Sequence, residues 1–263
     1  MSTWTTTLPE WRAWLRAADK SPQSIRLRTH QMRRFAAAHP DGPDVSEAVA
    51  WLARPCWATE TRRSNRAALR SFYSWVYAAG RLDADPSRNL PPIKPAAHPT
   101  RPAPEDIVRD ALARNDRVGL MLTLAASEGM RRGEIARVHS DDITRDLVGW
   151  SLRIHGKGRR DRVVPLSPDV AARLRTLPPV WAFPGRDHGH LSADYVGRLM
   201  ASALPAGWTA HTLRHRFATV AYAGTRDLLA VQEMLGHSRP ETTRGYIQMP
   251  QDALRAAVMA AAA

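Results

Sequence analysis

The sequence predicts a mainly α-helical chain with a small antiparallel β-hairpin or sheet, divided into two domains. Three observations carry this. Apolar residues recur at helical spacing over most of the chain. One pair of β-prone segments, 150–154 and 162–166, flanks Gly156-Lys157-Gly158, a turn signal. Six prolines fall between Leu90 and Pro104, a density that blocks helix and strand and leaves an extended, semi-rigid linker.

Before the linker, four helices are predicted. The first runs from about Pro9 to Ala18 with Trp11, Trp14 and Leu15 on one face. The second has Ser21 as N-cap and Pro22 at its first position, followed by Ile25, Leu27, Met32 and Phe35. The third carries Val45, Val49 and Leu52. The fourth runs from about Thr59 to Ala79 and stops at Gly80, with Leu69, Phe72, Val76 and Tyr77 at helical spacing. Trp11, Trp14, Trp51 and Trp75 are expected in the core. After the linker come the apolar run Leu120–Ala126, the hairpin, and helices over about 192–203, 210–223 and 226–235. The expected divisions are a helical domain over 1–90, a linker over 91–104, a second domain over 105–250 and a tail over 251–263.

A chain of 263 residues with 44% hydrophobic residues can bury a core in each of two modest domains. A net charge of +13 favours a polyanionic partner, and basic residues outnumber acidic ones on both sides of Pro95. The lack of a run of about eighteen apolar residues argues against a membrane as that partner. Trp4, Glu10, Trp11 and Arg12 interrupt any apolar N-terminal signal, and the chain reads as cytoplasmic. Cys56 stands alone, which excludes an internal disulfide framework and a Cys-based metal site. Asp187-His188-Gly189-His190 lacks a second ligand set at useful spacing and reads as a loop. No metal or cofactor is expected. Only Lys20, Lys94 and Lys157 among 38 basic residues are lysines, so a lysine inside a tight turn asks for a reason.

Five short segments of the second domain carry chemistry. Glu128-Gly129-Met130-Arg131-Arg132-Gly133-Glu134 follows the apolar run. Lys157 occupies the hairpin turn. His211-Thr212-Leu213-Arg214-His215 places His211 and Arg214 on one helix face at i,i+3 spacing, with Leu213 free to point into the core. Leu235-Gly236-His237 follows, and Tyr246 lies nine residues further on. Taken in order, these segments resemble the boxes of the tyrosine recombinase family, which includes lambda-type integrases and Xer-type resolvases. The resemblance spans about residues 105–250. Residues 1–90 resemble that family's helical core-binding (SAM-like) domain in helix count and position.

The resemblance implies a DNA strand transferase in which Tyr246 is the nucleophile. It implies that Arg131 and Arg214 clamp the scissile phosphate, that His211 takes the phenolic proton, that His237 donates a hydrogen bond to the phosphate and that Lys157 protonates the leaving 5′ oxygen. The chemistry is sensible for these residue types. A guanidinium fork matches phosphate, and a phenol with a pKa near 10 needs a proton acceptor. Arg132 reads as a surface charge, Glu134 as a residue that caps a helix or positions the site, and His215 as support. Arg26, Arg33 and Arg34 on the second helix, and Arg62, Arg63, Arg66 and Arg70 on the fourth, are the expected DNA contacts. Arg159 and Arg162 beside the hairpin turn join them.

The expected partner is double-stranded DNA at core attachment sites. The expected assembly is a homotetramer in the synaptic complex and a monomer free in solution, with no membrane partner. A phage-type integrase is the reading, with a Xer-like host resolvase or a non-catalytic DNA-binding protein on the same fold as alternatives. No room is seen ahead of the first helix for an additional arm-site domain. In the tail, Leu254 and Val258 form one apolar stripe suited to docking on a neighbouring protomer. The terminal Val258–Ala263 also resembles the small apolar tags that bacterial proteases recognise.

Overall fold

The computed structural model describes residues 4–40, 45–96, 101–156, 161–178 and 180–236. Two compact units divide the chain, Met1–His98 and Pro99–Ala263.

The first unit holds α1 (Trp4–Ala17), α2 (Pro22–Ala38), α3 (Val45–Leu52) and α4 (Thr59–Ala78), closed by a 3-10 turn at Pro86–Asn89. Ser21 caps α2 as expected, its Oγ accepting from the Ser24 N–H at 3.3 Å. The first helix starts five residues before Pro9, so the proline lies inside it. One lost backbone bond is tolerated because Leu8, Trp11 and Leu15 are buried on the packed face. The core is aromatic. Trp11 meets Phe72 edge-on with centroids 5.3 Å apart, and Phe35 meets Trp51 at the same distance. Of the four tryptophans expected in this core, Trp11 and Trp51 are buried, Trp75 is half-buried and Trp14 is exposed.

The second unit holds α5 (Glu105–Leu112), α6 (Arg117–Ala126), the single-turn α7 (Arg132–Ile135), strands β1 (Ile143–Arg145), β2 (Trp150–Ile154) and β3 (Arg162–Leu166), then α8 (Pro168–Arg175), β4 (Pro184–Asp187), α9 (Ala193–Ser202), α10 (Ala210–Thr225) and α11 (Leu228–Leu235). The predicted hairpin is present, with Trp150 opposite Leu166 and Ile154 opposite Arg162. The sequence reading missed β1, which pairs antiparallel with β2 to make a three-stranded sheet, because three residues are too few to show alternation. Pro165 is accommodated because β3 is an edge strand.

Helix α6 is the centre of this unit. Every residue from Leu120 to Ala126 is buried, so apolar side chains surround it on all faces rather than on one stripe. Leu152 and Val164 of the sheet, Val170 of α8, Val196 of α9 and Leu213 of α10 complete the core. Phe217 and Ala218 of α10 pack with Val231 and Leu235 of α11 in a separate cluster. That cluster fixes the end of α11, which the candidate site uses. No helix among the described residues is long and apolar enough to cross a membrane.

Candidate active site

The site is assembled by three turns that the local sequence dictates. After α6 the chain reverses at Gly129, whose φ of +62° is a left-handed conformation. A Cβ there would lie 2.4 Å from Cδ1 of Phe217, so glycine is also required for the close approach of α10. The reversal places Arg131 as the N-cap of α7. Helix α10 starts at Thr209, whose hydroxyl accepts from the His211 N–H at 3.2 Å, and His211 therefore stands in its first turn. Helix α11 starts at Asp227, which accepts from the N–H groups of Leu229 and Ala230, and ends at Gly236 in the left-handed conformation.

These turns bring three arginines onto one carboxylate. Glu134 is buried in α7. Its Oε2 accepts from the Arg131 backbone N–H at 2.8 Å, and its Oε1 from Arg131 Nη1 at 2.8 Å. Arg162 donates Nη1 and Nη2 to the two oxygens, each at 2.9 Å. Arg214 Nη1 stands 3.8 Å from Oε2. Burial raises the Glu134 carboxyl, but the bonds and positive charges of Arg162 and Arg131 outweigh it and hold the group down at about 2.

The same three guanidiniums cap the C-terminal end of α11. Arg162 Nε donates to the Met234 carbonyl at 2.9 Å, Arg214 Nη2 to Leu235 at 2.7 Å and Arg131 Nη2 to Gly236 at 3.3 Å. These carbonyls are the negative end of the helix, where cations are favoured. Arg214 also donates Nη1 to the carbonyl of Gly129. Its side chain is almost wholly buried, whereas that of Arg131 is 39% exposed and faces outward.

His211 lies exposed at the start of α10, its ring edge-on to that of His215 with centroids 4.4 Å apart. Partial enclosure and the positive charges of His215, Arg214 and Arg131 push its imidazole down to about 4, so it is neutral at neutral pH. His215 is buried beneath it.

Of the six expected catalytic residues, the structure describes Arg131, His211 and Arg214: Arg131 and Arg214 meet at the end of α11, and His211 lies within reach of both charges. Lys157, His237 and Tyr246 lie outside the described residues, as does Arg159 and the tail over 251–263. One expectation is corrected. Arg162 was expected to contact DNA, but its side chain is 9% exposed and all three of its nitrogens face Glu134 and Met234, so it is an internal counter-ion. Nothing in sequence links it to Glu134, 28 positions away; the Arg131–Glu134 pair, in contrast, shows in the i,i+3 spacing. Arg132 pairs with Asp194 at the surface. Among the described residues no cluster of His, Cys, Asp and Glu could hold a metal ion.

On the first unit, Arg26, Arg33, Arg34 and Arg70 are exposed. Arg63 is engaged by Glu60 on the same helix. Arg62 and Arg66 are partly spent inside the unit, Arg62 Nε donating to the Leu52 carbonyl at 2.9 Å and Arg66 Nη2 to Leu90 at 2.8 Å. For those two, structure adds an anchoring task that the arginine count alone did not reveal.

Residues 106–252 match the phage integrase family. A tyrosine recombinase XerD of Rhizobium meliloti (strain 1021) is 30% identical over 241 residues, 80% of this chain and 77% of the relative. The integrase of mycobacterium phage Brujita is 26% identical, with a TM-score of 0.50 and coverage of 97% of this chain and 98% of that one. A lambda integrase dimer bound to a COC′ core site shares the fold at 18% identity, with a TM-score of 0.73 over 93% of this chain and 77% of that one. The chain belongs to the phage integrase family of tyrosine recombinases, which are DNA strand-exchange enzymes.

Proposed function

We propose that the protein is a phage-type integrase that cleaves and rejoins duplex DNA at core attachment sites through a 3′-phosphotyrosyl intermediate on Tyr246. The observation that carries this reading is the convergence of Arg131 and Arg214, from distant segments, on one carboxylate and one helix end, with a neutral His211 beside them. Such an arrangement suits a phosphate that gains charge in a pentacoordinate transition state. Arg131 meets the non-bridging oxygens from the exposed side and Arg214 from the buried side.

In the first step the Tyr246 phenolic oxygen bonds to phosphorus and the bond from phosphorus to the 5′ oxygen breaks. His211 takes the phenolic proton, Lys157 gives one to the departing 5′ oxygen, and His237 donates a hydrogen bond to the phosphate. The phosphotyrosine keeps the bond energy, so a free 5′-hydroxyl from another strand reverses the step without ATP. Exchange between two sites calls for a homotetramer on DNA in the cytoplasm of a bacterial host; a lambda integrase tetramer has been seen on a Holliday junction.

A second reading, a Xer-like host resolvase, is favoured by the relatives named XerC and XerD. Both readings share the chemistry and are separated by the DNA. A tRNA-like attachment site flanking the gene supports the integrase, and its absence with activity on a chromosome-terminus site supports the resolvase. The shared chemistry is tested with a nicked suicide duplex whose core site is first selected by covalent capture from a randomised pool. Wild type is expected to yield a covalent complex that Tyr246→Phe does not. A complex that survives that substitution would refute the assigned nucleophile.

A further inference from the structure

The hairpin β2–β3 is tied at its base by a histidine held between two aspartates. His155, one residue past β2, has Nδ1 3.0 Å from Asp161 Oδ2 and Nε2 2.9 Å from Asp142 Oδ1. Asp161 directly precedes β3, and Asp142 ends the 3-10 turn Ser140–Asp142 that leads into β1. Ionised carboxylates accept only, and a neutral imidazole has a single N–H. Two such contacts on one ring therefore call for the imidazolium. The charged groups facing it are Asp142, Asp161 and Arg137, and Arg137 is directed at the backbone, donating Nη2 to the His155 carbonyl at 2.6 Å. Partial burial pulls this imidazole down, but the bonds to Asp142 and Asp161 and their charges outweigh it, and the net shift is upward.

The clamp joins the chain where it leaves β2 to the chain where it enters β3. It also fastens both to the third strand through Asp142, whose side chain is only 12% exposed. Lys157 lies two residues from His155 along the chain. An acid that must meet a leaving oxygen depends on where its backbone is anchored, since a displacement of about 1 Å can cost a hundredfold in rate. We propose that His155 is a positioning residue for the strand-cleavage reaction, acting through the Asp142–His155–Asp161 clamp to hold together the two ends of the stretch between β2 and β3 in which Lys157 lies in sequence. The inference rests on the reading of Lys157 as the general acid, and on the side chains of His155, Asp142 and Asp161 for its geometry.

The test separates leaving-group protonation from fold. The full-length protein is assayed for covalent capture on the selected suicide duplex, once with the natural 5′ oxygen and once with a 5′-bridging sulfur, a thiolate that leaves without a proton. His155→Gln and Asp161→Asn are expected to slow cleavage of the oxygen substrate by about tenfold or more. Both are expected to come within about threefold of wild type on the sulfur substrate. Lys157→Ala serves as the reference and should show the same rescue. Wild-type rates on oxygen for both His155→Gln and Asp161→Asn, or equal slowing on both substrates, overturn the proposal while leaving Lys157 in place. Equal slowing of Lys157→Ala on both substrates overturns the reading of Lys157 and the proposal with it.

Discussion

Arg162 meets Glu134 end-on, two hydrogen bonds of 2.9 Å joining side chains 28 positions apart. This pair explains how a site can gather three guanidiniums without flying apart. Arg131, Arg162 and Arg214 would repel one another if brought together alone. One buried carboxylate and the carbonyl end of α11 offset that repulsion, and each arginine bonds to a different carbonyl of the last turn. Arg131 and Arg214 are thereby held in set orientations by the same carboxylate and helix end.

Glu134→Ala should accordingly be destabilising by about 3–5 kcal/mol, the cost of leaving a buried charge without its counter-ion. The pH dependence has a definite sign. The Glu134 carboxyl lies at about 2 in the folded chain against an ordinary value near 4.5, so its contribution is present above 4.5 and is lost as pH falls from 4.5 through 2. Urea unfolding followed across that range checks both points. Wild type should lose stability through the window more steeply than Glu134→Gln, and parallel curves would remove the ion pair from the account.

Gly129→Ala tests the turn that sets the approach of α10 to Arg131. The left-handed φ of +62° costs an alanine about 1–2 kcal/mol by itself. The added methyl would also meet the Phe217 ring at 2.4 Å, so the loss of stability should exceed that figure. Chemical denaturation measures it. A loss below about 1 kcal/mol would mean that the ring and the turn relax together.

How much of this was legible in the sequence follows the range of the interactions. The helices of the first unit, α9 to α11 and the Ser21 cap depend on neighbours a few residues apart, which periodicity and capping signals read, and the β2–β3 hairpin announces itself by its turn signal; α5 and α8, at eight residues each, were not read. Strand β1 pairs with residues five to nine positions away and, at three residues, is too short to announce itself. The choice of Arg131, His211 and Arg214 came from motif order, but their mutual support did not. The Arg162–Glu134 pair and the three carbonyls of α11 are contacts between distant segments, and an arginine count treats a buried counter-ion and a solvated charge alike. Trp14 shows the converse: it sits at core spacing on α1 and is exposed.

His211 should titrate far below an ordinary histidine in the free protein. Partial enclosure and the nearby cations favour the neutral ring, and the sign follows: the unfolded chain binds the proton more readily between pH 4 and 6.5, so stability rises with pH across that window. Proton NMR of the histidine ring signals, assigned with His211→Gln, should place the midpoint below about 5. Binding of an anionic phosphate beside Arg131 and Arg214 should move it upward by offsetting their charge. A midpoint near 6.5 in the free protein would mean that enclosure and the cations of Arg131 and Arg214 do not act on this ring.

The exposed arginines of the first unit divide by their internal partners, and salt dependence can read the division. Arg70 is exposed on α4, whereas Arg66, one turn earlier, donates to the Leu90 carbonyl and helps hold the 3-10 turn at Pro86–Asn89. A side chain that contacts phosphate releases counter-ions on binding, so its loss lowers the slope of log affinity against log salt by about one. Arg70→Ala should therefore reduce that slope on a duplex of random sequence while leaving the unfolding midpoint near that of wild type. Arg66→Ala should lower the unfolding midpoint, because it removes the bond that ties α4 to the Leu90 carbonyl at the end of the 3-10 turn. Fluorescence anisotropy titrations at several salt concentrations, run beside thermal melts of the same samples, separate the two effects. If Arg66→Ala changed the salt slope with no loss of stability, its bond to Leu90 would be incidental and the residue would belong with the DNA-facing set.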